Sequence, residues 1–377
     1  MERRLFIIAI IDAELAYNQK HNFPNLACMK LSAYYKAKGE EVMLKTDYEN
    51  LAGYEKVYIS KVFGETKISY ETVCMPNVII GGTGFFYGTK PELPEEIEHI
   101  MPDYSLYDSH VNKRLENAAK TSSLKHYTDY SIGFLTRGCF RKCSFCVNRD
   151  SDRCVTHAPF SEFYDPDRKK IMLLDDNVLA NPKWRELFFA LMEAKKKFTF
   201  KQGIDIRLVS TDFAKTIDNA NYDGDIYFSF DNIADSEAIE SKLKLLRQYT
   251  DKAVRMYILC GFDYEKKYTA AFWLNDIESI FKRLEIIGRY GVTPFLMRFK
   301  NYIDSPYSGL YKNLASYCNK GGLFKTCTFE EYCLAQEART KSGNCSITRY
   351  YNDFAKLHPE FVSTYFRKKF WYKGKST

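Results

Sequence analysis

Long apolar runs are missing from this sequence. The run Leu5–Ile11 is only seven residues and ends at Asp12, far short of the roughly 20 apolar residues of a membrane-crossing helix. No small-residue cleavage site follows it, which argues against a secretory signal. Histidine is scarce, 6 in 377 residues, and no HxxxH pair occurs. Charge of one sign is also lacking: 55 Lys and Arg stand against 48 Asp and Glu, a net charge of +7. The densest basic group, Arg367, Lys368, Lys369, Lys373 and Lys375, reads as a solvated end. Neither a nucleic-acid partner nor a membrane surface is therefore expected. No internal repeat of about 20–50 residues is visible, which argues against a solenoid. The 11 cysteines are odd in number and, without an export signal, suggest thiols kept reduced in the cytoplasm, not a disulfide framework.

What is present is a long alternation of strand and helix signals. "LFIIAII" (5–11), "EEVML" (40–44), "KVYIS" (56–60) and "NVIIGG" (77–82) are short apolar runs suited to buried parallel strands. "NLACMKLSAYYKAKG" (25–39) has helical spacing and stops at Gly39. Residues 1–108 therefore read as a Rossmann-like α/β domain, and 109–128 as a polar, lysine-bearing linker. A second series follows: "YSIGFLT" (130–136), "KKIMLLDDN" (169–177), "KFTFKQGIDIRLV" (197–209), "GDIYFSFDN" (224–232), "AVRMYILCGF" (253–262) and "GVTPFLMRF" (291–299). Helical patterns at 184–196, 211–219, 236–249 and 274–290 separate several of them. Six βα units predict a partial (β/α)6 TIM barrel over 129–302. Residues 303–377 read as a short helical extension. The 29 Tyr and 28 Phe are too many for a surface and must largely be core.

One loop concentrates the chemistry. "GCFRKCSFCVN" (138–148) places Cys139, Cys143 and Cys146 within eight positions. Structural zinc sites close with four ligands, commonly from two separated pairs, and no second close cysteine pair exists elsewhere. His157 is the nearest downstream histidine, leaving a Cys3His zinc site as one alternative. The other is an iron–sulfur cluster held by three thiolates with one iron open. The loop follows a predicted barrel strand, so it sits at the C-terminal mouth where such folds place their chemistry. Gly138 permits a tight turn, and Arg137, Arg141 and Lys142 offset thiolate charge.

The CxxxCxxC spacing, with Phe145 before the last cysteine and five further strand ends downstream, resembles the radical S-adenosylmethionine superfamily. The resemblance covers about residues 128–300. It implies that Cys139, Cys143 and Cys146 hold a [4Fe–4S] cluster. Its open iron would bind S-adenosyl-L-methionine, which is cleaved reductively to a 5′-deoxyadenosyl radical. It also implies an electron donor such as flavodoxin or ferredoxin. By the same resemblance, Asp175, Asp176 and Asn177 after the second strand would meet the ammonium of the cofactor, and Asp205 and Arg207 its other polar groups. Ser229 would reach ribose hydroxyls and Gly261 would pack adenine, with Phe145 beside the cofactor. Asp231 and Arg298 would be the catalytic side chains. The residues alone leave alternatives open: Asp205 and Arg207 as an internal ion pair, one of the acids as a helix cap, Arg298 as a rim salt bridge.

A preceding Rossmann-like domain resembles that of the cobalamin-dependent branch. The DxHxxG element is absent, however, and His21 lies in "YNQKHNFPNL" without it, so cobalamin is not expected and the domain reads as a lid. The layout lacks a second three-cysteine set and an RNA-binding tail, and suits a small-molecule substrate. Overall it resembles queuine lyase, which would make the substrate a 7-deazapurine base and the reaction C–N cleavage. The alternatives are a cobalamin-dependent or a peptide- or tRNA-modifying radical methyltransferase, or a non-catalytic iron–sulfur or zinc protein.

Overall fold

Ile7–Asp12 forms β1, and every residue from Ile8 onward is buried. Glu41–Lys45 (β2), Lys56–Ser60 (β3) and Val78–Gly81 (β4) join it in the order β2-β1-β3-β4. Every pairing is parallel, with Ile8 opposite both Val42 and Lys56, and Ile59 opposite Ile80. The side-chain period of two sends Ile8 and Ile10 to one face, against Leu26 and Met29 of the helix Leu26–Ala37. Ala9 and Ile11 go to the other, with Val57 and Ile59. That helix begins where Asn25 accepts from the Cys28 amide and ends before Gly39, whose φ is +79°.

The computed structural model describes residues 7–88, 92–148, 151–336 and 345–372. The chain divides into two units, Met1–Thr199 and Phe200–Thr377. Leu5 and Phe6 of the first apolar run, and Lys373 and Lys375 of the basic group, lie outside the described residues.

The first unit continues with Tyr130–Gly133 (β5), Thr136–Arg137 (β6), Val155–Thr156 (β7), Lys170–Leu173 (β8) and Lys197–Phe200 (β9), which carries the chain across the boundary. A second sheet has the order β5-β8-β9, with Gly133 opposite Leu173 in the parallel β5–β8 pair. Tyr130, Ile132, Met172 and Leu174 share one apolar core with Ile8, Ile10, Leu26, Met29 and Tyr107. The N-terminal sheet is thus packed into the same core as β5 and β8.

In the second unit Ile226–Ser229 (β10), Val254–Cys260 (β11) and Thr293–Arg298 (β12) form a parallel sheet with Cys260 opposite Arg298. Helices Thr211–Asn219, Ser236–Arg247 and Ala270–Arg289 lie between or beside these strands in sequence. Further helices, Ser308–Asn319, Gly321–Thr326, Phe329–Ala335 and Ser346–Leu357, follow. Here the aromatic excess is core: Phe366 lies 5.1 Å from Phe281, 4.9 Å from Phe329 and 5.3 Å from Phe354, centroid to centroid.

All six strands expected of the second series are present, each shorter than its apolar segment, two of them for a clear reason. The strand expected over 130–136 breaks after Gly133, where the Phe163 ring leaves no room for a Cβ. The strand expected over 197–209 ends at Phe200. Gly203 turns the chain at φ +95°, close beneath the Tyr257 ring. Asp205 and Arg207 therefore belong to a turn, not to one face of a strand.

Candidate functional site

Thr136 and Arg137 pair antiparallel with Thr156 and Val155, so β6 and β7 close the cysteine loop at its base. Gly138 opens it at φ +88°, where a Cβ would meet the Arg153 carbonyl oxygen at 2.5 Å. Lys142 adopts φ +47° inside it, a strained choice for a residue with a side chain. Cys139, Cys143 and Cys146 are all partly accessible, and the Cys146 amide donates to the Cys143 carbonyl at 2.9 Å. The Asn148 amide lies 3.3 Å from Cys146 Sγ.

Three consecutive residues after β8 organise this loop. Asp175 is 1 % exposed; its Oδ1 accepts from the Thr136 amide and Oγ1, both at 2.6 Å, and its Oδ2 from the Leu135 amide at 3.3 Å. Asp176 accepts from the Gly138 amide at 2.8 Å and from Asn148 Nδ2, bracketing the cysteines from both sides. Asn177 Nδ2 donates to Cys139 Sγ at 3.4 Å. Its Oδ1 is buried and has no hydrogen-bond donor among the described residues. Burial pushes the Asp175 carboxyl up to about 6 against the pull of its Thr136 and Leu135 bonds. The expectation that both acids face a cofactor ammonium changes here: Asp175 and Asp176 spend their carboxylates on the loop, and Asn177 carries the open acceptor.

Flanking contacts fix the rest. Tyr87 Oη donates to the Phe145 carbonyl at 2.9 Å, so the segment after β4 reaches the loop. Glu98 accepts from His157 Nε2 at 2.9 Å and Lys30 Nζ at 2.8 Å, and pairs with Arg137 at 3.3 Å. Burial alone would raise Glu98, but bonds from His157 and Lys30 and the charges of Lys30 and Arg137 hold it down at about 2. His157 is thereby engaged by Glu98. The guanidinium carbon of Arg137 stands 3.3 Å from the Phe134 ring centre, a cation–π contact beside the loop.

In the second unit the remaining expected residues separate. The Arg207 Nε lies 2.8 Å from Asp205 Oδ1, and its Nη1 lies 2.9 Å from Asp235 Oδ2. This is an internal ion pair, so the expected clamp on a cofactor carboxylate is already filled by protein acids. Asp231 Oδ1 accepts from the Leu259 amide at 3.1 Å, and burial pushes its carboxyl up to about 6. Arg298 is exposed and donates to Tyr302 Oη at 3.2 Å. Ser229 ends β10. Gly261, at φ +73°, donates its amide to Asp276 Oδ2 at 2.8 Å.

Sequence reasoning missed Arg283. It is 1 % exposed, and its Nη1 donates to the carbonyls of Phe230, Asp231 and Leu259 at 2.9–3.2 Å, tying the ends of β10 and β11 together. Its signal was positional: it falls three after Ile280 and four before Ile287, on the buried stripe of its helix.

The donor set suits an iron–sulfur cluster. Three thiols share one loop, and N–H groups of Asn177 and Asn148 already point at two of the sulfurs, the kind of bond that tunes such centres. Among the described residues, no group of three or more His, Cys, Asp or Glu side chains encloses a point for a single metal ion. A cube differs, since each thiolate takes a different iron.

No family model matches the sequence, and no curated protein does. Solved structures that it resembles include two radical S-adenosylmethionine enzymes that bind cobalamin. One is the enzyme OxsB with aqua-cobalamin and S-adenosylmethionine bound, at 13% identity and TM-score 0.47; the match covers 82% of this chain and 55% of that one. Another is the methyltransferase TsrM from Kitasatospora setae with cobalamin and a [4Fe-4S] cluster bound, at 11% identity and TM-score 0.49, covering 78% of this chain and 75% of that one. The chain thus spans about half the length of OxsB. Both of those structures hold cobalamin.

Proposed function

We propose that this chain is a radical S-adenosylmethionine enzyme acting on a small molecule, with Cys139, Cys143 and Cys146 as the thiolate ligands of a [4Fe–4S] cluster. The observation that supports it is the clasp of the cysteine loop by Asp175, Asp176 and Asn177. A redox centre needs its thiolates fixed before it arrives, and charge-assisted bonds from carboxylates to loop amides do this. When bound, the cluster and S-adenosylmethionine supply a one-electron cleavage that gives a 5′-deoxyadenosyl radical able to take a hydrogen atom from substrate.

The chain's own residues orient and shield. Asn177 Oδ1, buried and lacking a donor, is the acceptor available to the cofactor's ammonium. Tyr87 holds the Phe145 carbonyl and with it the loop's position. Asp231, near neutrality through burial, can hold or release a proton at Oδ2, and Arg298 can hold an anionic substrate group. Arg141 and Lys142 offer positive charge to an acidic electron donor of the flavodoxin or ferredoxin kind. Closure of β5, β8, β9, β10, β11 and β12 into one partial barrel, over about 129–302, belongs to this reading. So do the helical extension, a cytoplasmic location and the linker at 109–128. C–N cleavage of a 7-deazapurine rests on layout alone, and no residue described here carries it.

A second reading, cobalamin-dependent chemistry, is favoured by His21. It lies in the loop that follows β1 and the short helix Ala13–Tyr17. Burial lowers its pKa, against the charge of Glu14 and a bond to the Phe23 backbone. Anaerobic reconstitution with iron and sulfide, followed by dithionite and S-adenosylmethionine, tests the first reading through 5′-deoxyadenosine release. Stoichiometric corrinoid in the purified protein, with a spectrum altered by His21→Ala, assigns the second.

A further inference from the structure

At the N-terminal ends of β10, β11 and β12 the second unit holds a cavity of about 420 Å³. Ser229, Gly261 and Arg298 stand at or just beyond the opposite ends of the same strands. The cavity is therefore separate from any chemistry at the strand carboxyl ends. Its volume lies within the roughly 300–1,000 Å³ of small-molecule sites.

Its lining is unusual in charge. Arg247, Lys252, Arg255 and Lys325 stand against only Asp225 and Asp251. Arg247 is consumed by structure, donating to the carbonyls of Tyr290, Thr250 and Lys252 at 2.9–3.1 Å. Among the described residues Lys252 and Lys325 have no such carbonyl contacts, and Arg255 is paired with one acid. Arg255 Nε lies 3.0 Å from Asp225 Oδ2. That one nitrogen is buried with no acceptor in hydrogen-bond geometry among the described residues, although the Asp225 charge stands beside it and the guanidinium carbon lies 5.9 Å from the Tyr227 ring centre. A buried guanidinium N–H left without an acceptor costs free energy, and an incoming anion would satisfy it. Lys325 is exposed, with its ammonium 4.7 Å from the ring centre of Trp371, a further wall.

The floor is made to be approached. A Cβ at Gly322 would meet nothing within 4 Å, and one at Gly321 only the Arg255 guanidinium at 3.6 Å and Thr293 Cγ2 at 3.8 Å. Two successive residues without side chains leave a gap beside three cations, wide enough for a tetrahedral anion to reach backbone. Gly291, at φ +61°, would bring a Cβ to 3.9 Å from Trp371, so the edge of the indole lies beside it.

We propose that this cavity binds a nucleoside monophosphate or a closely similar phosphorylated aromatic compound. The phosphate would lie among Lys252, Arg255 and Lys325 over Gly321–Gly322, and the ring against Trp371. Base–aromatic stacking of that kind is worth about 1–3 kcal/mol. Asp251 is placed to accept from an exocyclic amino or ribose hydroxyl group, while Asp225 stays with Arg255. The site is regulatory in position, remote along the strands from their carboxyl ends.

The test titrates the full-length protein with adenosine 5′-monophosphate, and separately with adenosine and inorganic phosphate, by calorimetry and tryptophan fluorescence. Trp184 and Trp273 are 8 % and 3 % exposed, so quenching reports on Trp371. The expected result is saturable one-to-one binding of the nucleotide with quenching, each fragment binding at least tenfold more weakly. The double variant Lys252→Glu/Lys325→Glu should weaken nucleotide binding by tenfold or more, with iron loading unchanged. Nucleotide binding that the double variant leaves intact would place the ligand elsewhere, and absence of saturable binding up to millimolar nucleotide would remove the site.

Discussion

Asn177 Nδ2 lies 3.4 Å from Cys139 Sγ, while the other end of the same amide, Oδ1, is buried without a donor. One side chain thus touches a sulfur of the cysteine loop and, among the described residues, offers an open acceptor beside it. Asn177→Ala should retain near-normal iron but lose roughly tenfold or more in S-adenosylmethionine affinity, the scale of one hydrogen bond to a charged group, about 1.5–3 kcal/mol. Loss of the N–H···S bond should also lower the cluster's reduction potential. Calorimetry and a redox titration check both, and unchanged affinity would sink the assignment of Oδ1.

Asp176 bridges the Gly138 amide and Asn148 Nδ2. Asp176→Ala should therefore act on the cluster before the cofactor: reconstituted iron should fall, and bleaching by a chelator should quicken several-fold. Asp176→Asn, which keeps one acceptor, should fall between. Full iron retention in Asp176→Ala with only cofactor affinity reduced would restore the expectation drawn from sequence.

The cysteine loop and the strand order around it were legible because both are local signals: tight thiol spacing and short apolar runs. The roles of the three residues after β8 were not. Sequence placed Asp175, Asp176 and Asn177 at a strand end, which is where they are. Which of them turns inward depends on where the Thr136 and Gly138 amides point, and that is set by the break after Gly133. The Asp205–Arg207 ion pair was one of the alternatives the sequence left open, but Asp235 as its third member was not legible. The strand expected over 197–209 ends at Phe200, and Gly203, at φ +95°, then turns the chain so that Asp205 meets Arg207. Arg283 was hidden because a charged residue in a helix is ordinarily read as solvent-facing.

Asp12 is buried, accepting from Tyr107 Oη at 2.8 Å and the Leu15 amide at 3.3 Å. Burial is the main cause that pushes its carboxyl up to about 7, with Glu14 adding to it. Because the folded value exceeds the unfolded one, 3.8, its contribution is fully present below about pH 4 and is lost as pH rises towards 7. Asp12→Asn should thus gain stability relative to the parent between pH 5 and pH 8, on the order of 2 kcal/mol at 1.36 kcal/mol per unit. Urea unfolding at the two pH values measures this, and a difference independent of pH would contradict it.

Gly261 has φ +73°, and a Cβ there would lie 2.9 Å from Tyr302 Cβ. Gly261→Ala should lower unfolding stability by about 1–3 kcal/mol through backbone strain and leave iron content unchanged, since the cysteine loop belongs to the other unit. Equal stability of the two proteins in urea would show that the turn relaxes.

The most direct test of the central claim is iron content and 5′-deoxyadenosine release after anaerobic reconstitution, compared between the parent protein and Cys139→Ala, Cys143→Ala and Cys146→Ala. The account predicts about four irons per chain and reductant-dependent release of 5′-deoxyadenosine for the parent, and loss of both in each variant, while Cys154→Ala and Cys260→Ala keep both. A Cys143→Ala protein that holds a full cluster and still releases 5′-deoxyadenosine would contradict it.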